Sequence, residues 1–162
     1  MQTVGANANK SDIINRPKGH KNEYKMKLNM ETNKRFVKLL KPLFDDYDKK
    51  FEPADEKQVF DFSEKCKQRN VPVSVYEQLV EFYSVTKGGF CLDGFSFHRI
   101  DDEILFEWWQ DNELWLGGCN DDVLHWCEDG FCLGDASNIA YSDDCKFQTL
   151  IELLQKGFKE WR

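Results

Sequence analysis

Hydrophobic and polar residues alternate through the second half of the chain in the way that strands do. Short apolar runs separated by turn residues continue from residue 103 to residue 141, and four of the five tryptophans lie there. Five runs are predicted strands, at residues 90–92, 95–100, 113–116, 122–127 and 131–133. Because the runs are short and close together, the pattern predicts a small antiparallel meander.

Turn residues divide these strands. Asp93-Gly94 separates the first two, and Asp129-Gly130 is a two-residue hairpin signal because both positions tolerate a left-handed backbone. Residues 117–121 (GGCND) have the composition of a turn. Residues 103–109 are open to two interpretations, since their apolar side chains alternate but also fit one helical turn.

Apolar residues spaced by three and four predict helices before the meander. The first helix follows a cap at Thr32 or Asn33, and Pro42 should stop or kink it near Lys41, because proline lacks an N–H and clashes with the preceding turn. A second helix is predicted to start at Pro53 and to end at residues 70–72.

Two further helices flank the strands. Ser74 and Glu77 have the spacing of a capping box and predict a third helix, which Lys87-Gly88-Gly89 is expected to close. The closing helix carries the most continuous apolar stripe in the chain: Phe147, Leu150, Ile151, Leu154, Phe158 and Trp161.

An amphipathic helix that follows a meander must bury its stripe against the sheet. The predicted fold class is therefore α+β, with an antiparallel or mixed sheet packed against several helices in a single domain at residues 30–162. Residues 1–29 are rich in Asn, Lys and Gly without apolar periodicity, and they are predicted to form a mobile basic tail.

Charge is divided unevenly along the chain. Residues 1–50 carry 12 Lys and Arg against 6 Asp and Glu, a net of +6, whereas residues 51–162 carry 10 against 23, a net of −13. An acidic globular part argues against nucleic-acid binding, which needs a basic face. It suits either a solvated surface or a basic protein partner. No apolar run approaches the length of a membrane span, and residues 1–9 have no secretory apolar segment, so a cytoplasmic location is expected.

Candidate metal-binding and catalytic residues are present, but their spacing does not match known motifs. Cys119, His125, Cys127 and Cys132 are possible zinc ligands, yet their spacing, Cys-x5-His-x-Cys-x4-Cys, is irregular for a structural zinc site, so no metal or cofactor is predicted. Cys127 could form a nucleophile pair with His125, which shares its strand face, or with His98.

Neighbouring aspartates at 101–102, 121–122 and 143–144 have turn or capping positions and do not indicate acid–base catalysis. No nucleotide-binding loop, HExxH motif or GxSxG motif occurs. The chain is therefore predicted not to be an enzyme.

Tryptophans near acidic residues indicate a binding surface. If residues 103–109 form a strand, Trp108 and Trp109 cannot both point inward, so one ring is expected at the surface. Aromatic anchors within an acidic rim fit a basic protein partner. The predicted partner-binding residues are Asp101, Asp102, Glu107, Trp108, Trp109, Asp111, Glu113, Asp121 and Asp122.

Three stretches within residues 31–162 resemble the SUKH superfamily, which includes the Smi/Knr regulators of fungal cell-wall synthesis. Residues 71–89, with Pro72, Tyr76 and the closing Gly88-Gly89, resemble the family's helix that ends at a glycine. Residues 101–104 (DDEI) followed by Trp108 resemble its central segment. Residues 114–117 (LWLG), 121–126, 131–138, 147 and 150 resemble its meander and closing helix.

This resemblance implies an α+β fold and a binding role without catalysis. Many bacterial members are immunity proteins that neutralise toxins, often nucleases or deaminases, by direct contact. The expected function is therefore that of an immunity protein that binds a basic toxin domain through its acidic face. The alternative is a Smi/Knr-type scaffold or regulator in cell-wall or stress signalling, as in the fungal members.

Overall fold

The computed structural model describes residues 19–108, 110, 112–135 and 143–161, with side chains between residues 33 and 159 of those ranges. The described helices are α1 (Gly19–Asp46), α2 (Glu56–Gln68), α3 (Val73–Tyr83) and α4 (Leu150–Trp161). The described strands are β1 (Phe90–Leu92), β2 (Phe95–Phe97), β3 (Leu114–Cys119), β4 (Asp122–Cys127), β5 (Gly130–Gly134) and β6 (Lys146–Phe147). Short 3₁₀ turns cover Glu103–Phe106 and Asp143–Cys145.

The six strands form one antiparallel sheet in the order in which they occur along the chain. The predicted α+β fold with an antiparallel meander and several helices is therefore confirmed. Asp93 and Gly94 both have positive φ angles, of 48° and 93°, and form the predicted hairpin between β1 and β2. In the hairpin between β4 and β5, Cys127 pairs with Gly130, so the two-residue loop is Glu128-Asp129, one residue earlier than predicted.

Helices α1, α3 and α4 pack on one face of the sheet, the inner face, and α2 joins the same core through α3. Phe82 of α3 lies 4.2 Å from Phe97 between ring centroids, and Phe44 of α1 lies 5.2 Å from Phe90. Phe62 of α2 packs edge-on against Tyr83, which joins it to the same core. A Cβ atom at Gly157 of α4 would lie against Phe95 and Leu124. Burying each large apolar side chain contributes about 1.5–3 kcal/mol, so this layer dominates the stability of the fold.

The first helix is longer than predicted. It begins at Gly19, so the predicted cap at Thr32 or Asn33 is wrong, and residues 19–29 of the predicted tail are helical. Lys, Met, Leu and Glu have high helix propensity, so this stretch forms a helix although it has no apolar periodicity. Pro42 does not stop the helix, which continues to Asp46 because Leu43 and Phe44 are buried in the core while Pro42 faces solvent. Residues 1–18 lie outside the described part of the chain.

Helix caps also differ from their predicted positions. The second helix starts at Glu56, not Pro53, because Asp55 and Gln58 form a reciprocal capping box. The third helix has Pro72 at its N-cap and no side-chain cap, so the predicted box between Ser74 and Glu77 is wrong. It ends at Tyr83, four residues before the predicted closing segment.

The closing helix begins later than its apolar stripe suggests. Phe147 belongs to β6 and pairs with Phe131, whereas α4 starts at Leu150. The N–H of Thr149 donates to the Glu152 carboxylate and the N–H of Glu152 donates to the Thr149 hydroxyl, which caps the helix. The helix then buries Leu150, Leu153 and Leu154 in the core.

Gly117 and Gly118 lie inside β3, so the predicted turn at residues 117–121 is wrong except at Asn120-Asp121. Gly117 is required by crowding, since a Cβ atom there would lie 2.1 Å from the carbonyl oxygen of Ser96 on β2. A register shift between Trp115 and Gly117 accompanies this close approach. Glycine here lets two backbones approach and does not make a turn.

Gly117→Ala should therefore lower the free energy of unfolding by at least about 1–3 kcal/mol, because backbone atoms of β2 cannot move aside cheaply. Gly157→Ala is the matched control. Its Cβ would lie 3.6 Å from the nearest atom, and alanine favours a helix over glycine by up to about 1 kcal/mol. Urea unfolding of both variants checks the pair, and equal destabilisation would contradict the role assigned to Gly117.

Candidate functional site

The outer face of the sheet, opposite the four helices, carries polar and aromatic side chains. Alternation along β4 places Leu124 and Trp126 on the inner face, and His125 and Cys127 on the outer face, as predicted. Cys132 of β5 pairs with His125 and therefore shares that face. We call the following residues the outer cluster: Trp108, Glu113, Trp115, His125, Cys127 and Cys132.

Aromatic stacking covers His125. The Trp108 ring stacks on the imidazole, with centroids 4.0 Å and planes 27° apart, and meets the Trp115 ring edge-on at 5.9 Å. The Trp115 indole N–H donates to the Gly117 carbonyl oxygen at 3.0 Å, which holds this ring in place. The imidazole is only 3% exposed, whereas both tryptophan rings are half-buried and so combine packing with accessible surface.

His125 and Glu113 form a largely buried polar pair. The His125 Nε2 atom lies 3.2 Å from Glu113 Oε2, and because a carboxylate only accepts, the imidazole donates its Nε2–H. Burial lowers the pKa of His125 to about 4. Burial, followed by the charges of Glu128 and Asp129, raises the pKa of Glu113. Burial outweighs the attraction of an ion pair here, so the imidazole is neutral at pH 7.

Two thiols lie next to this pair. The Sγ atoms of Cys127 and Cys132 are 3.9 Å apart, and the Cys132 thiol also lies 3.5 Å from the Gly130 carbonyl oxygen. The hydrogen bond between the thiols lowers the pKa of Cys127 to about 7 and raises that of Cys132, which keeps its proton. All six cysteines of the chain are free thiols.

An acidic cleft opens beside the outer cluster. Its volume is about 350 Å³, and it is lined by Gln110, Asn112, Glu113, Cys127, Glu128 and Asp129. Glu128 and Asp129 are exposed on the loop between β4 and β5. Three carboxyl groups therefore surround one small cleft, at the end of the sheet where Trp108 is placed.

The predicted partner-binding residues separate into groups. Trp108 and Glu113 both contact His125, and exposed Glu107 directly precedes Trp108. Asp101 instead binds Arg99 and Gln58, and Asp102 caps the 3₁₀ turn at the Ile104 N–H. Residues 103–106 form that turn, so the helical interpretation of this segment is confirmed.

Asp121 and Asp122 lie at the opposite end of β4 from the cleft, roughly 15–20 Å away along the strand. They therefore do not belong to the same patch as Glu113. The predicted residues Trp109 and Asp111 lie outside the described residues.

The possible zinc ligands also separate. Cys119 points to the inner face, where its thiol donates to the Gly157 carbonyl oxygen at 3.4 Å. The other three, His125, Cys127 and Cys132, come together on the outer face with Glu113. Sequence spacing could not reveal this group, because Glu113 joins it only through the pairing of β3 with β4. Glu128 and Asp129 were also not among the predicted binding residues. The hairpin signal at Asp129-Gly130 could have indicated them, because it places an exposed loop at the end of β4.

Comparison with protein-family models, curated proteins and solved structures finds no match to this chain. Membership of the SUKH superfamily therefore stays a prediction from the residues that resemble it. None of the described helices is both long enough and apolar enough to cross a membrane.

The lowered pKa of His125 predicts acid sensitivity. The unfolded chain takes up a proton near the usual pKa of 6.5 while the folded chain does not, so stability is lost as the pH falls below 6.5. From pH 7.5 to pH 5 the loss due to His125 should be about 2 kcal/mol.

Urea unfolding at both pH values, with EDTA in the buffer, measures this loss. The two proteins compared are the single variant Glu113→Gln and the double variant Glu113→Gln with His125→Phe. Glu113 is replaced in both because its raised pKa makes the folded state more stable as the pH falls, which would offset the effect of His125. Phenylalanine keeps a ring beneath Trp108 but cannot be protonated. An equal loss in both proteins would show that other groups cause the pH dependence.

Proposed function

We propose that this chain is a protein-binding domain without enzymatic activity, and that it binds a basic protein partner through the outer face of the sheet. The observation that carries the proposal is the acidic cleft beside half-buried Trp108 and Trp115, on a face that none of the described helices covers. Aromatic anchors next to a charged rim are typical of protein interfaces.

The cleft fits a lysine or arginine side chain. Glu113, Glu128 and Asp129 offer carboxyl groups, and burial, followed by the charges of the last two, raises the pKa of Glu113. A cation inserted among them would relieve this repulsion, which favours binding. The nearby tryptophan rings also attract arginine through their faces. Acidic residues further away would mainly speed association, in a salt-dependent way.

The resemblance to the SUKH superfamily suggests which basic protein is bound. We propose that the partner is a toxin domain of the nuclease or deaminase type, and that the chain acts as its immunity protein in the cytoplasm. A protein that acts on nucleic acid needs a basic face for the phosphates. An acidic domain that covers that face would block the substrate by direct contact. The six free thiols agree with a reducing compartment.

A charge-reversal pair tests the proposed surface. Glu128→Lys with Asp129→Lys should weaken binding by at least about 100-fold at low salt, because two repulsive charges then line the cleft. Asp61→Lys with Glu77→Lys is the matched control, since it makes the same charge change at exposed positions on α2 and α3. The substitutions remove only ion pairs at the protein surface, which contribute little to stability, so neither variant should unfold.

The full chain is used as bait in extracts of its native source, washed at rising salt, and affinities for the recovered partner are then measured by calorimetry. A basic toxin domain that binds wild type and control, but not the cleft variant, would support the proposal. Equal binding by both variants would place the interface elsewhere. Recovery of cell-wall synthases or signalling kinases would instead favour the scaffold function.

A further inference from the structure

Four side chains that are separated in the sequence bring metal-binding atoms together on the outer face. One ligand atom from each of Glu113, His125 and Cys127 lies within 4.8 Å of the other two. The Sγ atom of Cys132, on the next strand, is 3.9 Å from Sγ of Cys127. One carboxylate, one imidazole and one thiol thus surround a small volume, and a second thiol lies against the first.

Two of the distances between these atoms match the edges of a tetrahedral zinc site. Zn–S bonds of about 2.3 Å and Zn–N or Zn–O bonds of about 2.1 Å give tetrahedral edges of about 3.8 Å between sulfurs and about 3.4 Å between nitrogen and oxygen. The two thiols are 3.9 Å apart, and His125 Nε2 is 3.2 Å from Glu113 Oε2. The edges from Cys127 to His125 and Glu113 are within 4.8 Å and must shorten on binding, and Cys132 must turn its thiol toward His125 and Glu113 to complete the tetrahedron.

Strand pairing holds the four residues in place before any ion arrives. His125 pairs with Cys132, and Leu114 pairs with Trp126, which sets Glu113 beside Cys127. Three of the ligands therefore come from the paired strands β4 and β5, and Glu113 directly precedes β3, which favours a preformed site. Cys127 and Glu113 also line the acidic cleft, which gives an ion a route from solvent.

We propose that Glu113, His125, Cys127 and Cys132 bind one zinc ion, which joins β3, β4 and β5 at the cleft end of the sheet. Two thiolates, an imidazole and a carboxylate are a ligand set that selects zinc over magnesium or calcium. Four protein ligands leave no open position for a substrate, so the site is structural.

Binding changes the protonation of the site in a defined way. Each protonated thiol loses its proton to solvent as its sulfur binds the ion, so up to two protons are released per zinc. His125 binds through Nε2, so its ring proton moves by way of solvent from Nε2 to Nδ1, and its hydrogen bond to Glu113 is replaced by the two bonds to the ion. Once the Cys132 sulfur has lost its proton, it can no longer donate a hydrogen bond to the Gly130 carbonyl oxygen. The two positive charges of zinc offset two of the three negative charges of the ligands, which stabilises this crowded acidic end of the sheet.

Cobalt titration tests the site, because Co²⁺ replaces Zn²⁺ in tetrahedral sites and is coloured. The full chain is stripped with chelator, kept reduced under argon and titrated with Co²⁺ and then Zn²⁺. One Co²⁺ per chain should bind, with a thiolate-to-cobalt charge-transfer band and tetrahedral d–d bands that Zn²⁺ abolishes. Zinc should also raise the thermal unfolding midpoint of the stripped protein.

Variants assign the ligands. Cys127→Ser and Cys132→Ser should each weaken Co²⁺ binding by more than about 100-fold and reduce the charge-transfer band. Glu113→Gln should weaken binding by about 10–100-fold but keep the band, because both thiolates remain. Cys91→Ser is the matched control, an exposed thiol on the outer face of β1, and should change nothing.

Several results would overturn the site: no charge-transfer band, a band unchanged in both cysteine variants, or a Cys127–Cys132 disulfide in protein purified anaerobically from reducing cytosol. Near-ultraviolet circular dichroism checks the fold of each variant. If a cysteine variant unfolds, the Glu113→Gln titration decides, and unchanged affinity there rejects the site. No partner protein is used, so these outcomes are independent of the proposed immunity function.

Discussion

The pairing of β4 with β3 and β5 is the constraint on which both faces of the sheet depend. It directs Leu124 and Trp126 into the core and His125 and Cys127 outward. A shift of one residue would exchange these two sets, placing an imidazole and a thiol against the apolar helices. The cost of burying those polar groups among Phe and Leu side chains makes the observed register strongly preferred.

Contacts on two sides hold the buried imidazole of the outer face in place. His125 is almost fully buried, and it lies against Trp108 on its ring face and against Glu113 at Nε2. Such networks are more favourable as a unit than as separate pairs, since each member fixes the orientation of the next. The same network places the accessible tryptophan edges and the acidic cleft side by side, so a structural cluster and a binding surface share residues.

Local patterns in the sequence predicted the fold class but missed some boundaries. The strand at residues 122–127 and the hairpin at Asp93-Gly94 agree with the structure because alternation and left-handed turn positions are local properties. Gly117 was misassigned because glycine suits both turns and close backbone contacts. Only the neighbouring Ser96 carbonyl shows which of the two applies. The helix through Pro42 likewise depends on core contacts of Leu43 and Phe44 that outweigh the local preference.

The sequence by itself determined the α+β class, the meander, the acidic character of residues 51–162 and the shared face of His125 and Cys127, since each follows from composition or from a period of two or 3.6 residues. Tertiary structure decided which of the candidate residues meet. Glu113 and Cys132 reach His125 and Cys127 through strand register, whereas Cys119 turns inward and Asp101 binds Arg99. Contacts between strands depend on which residues are opposite each other, and no single strand's pattern contains that information.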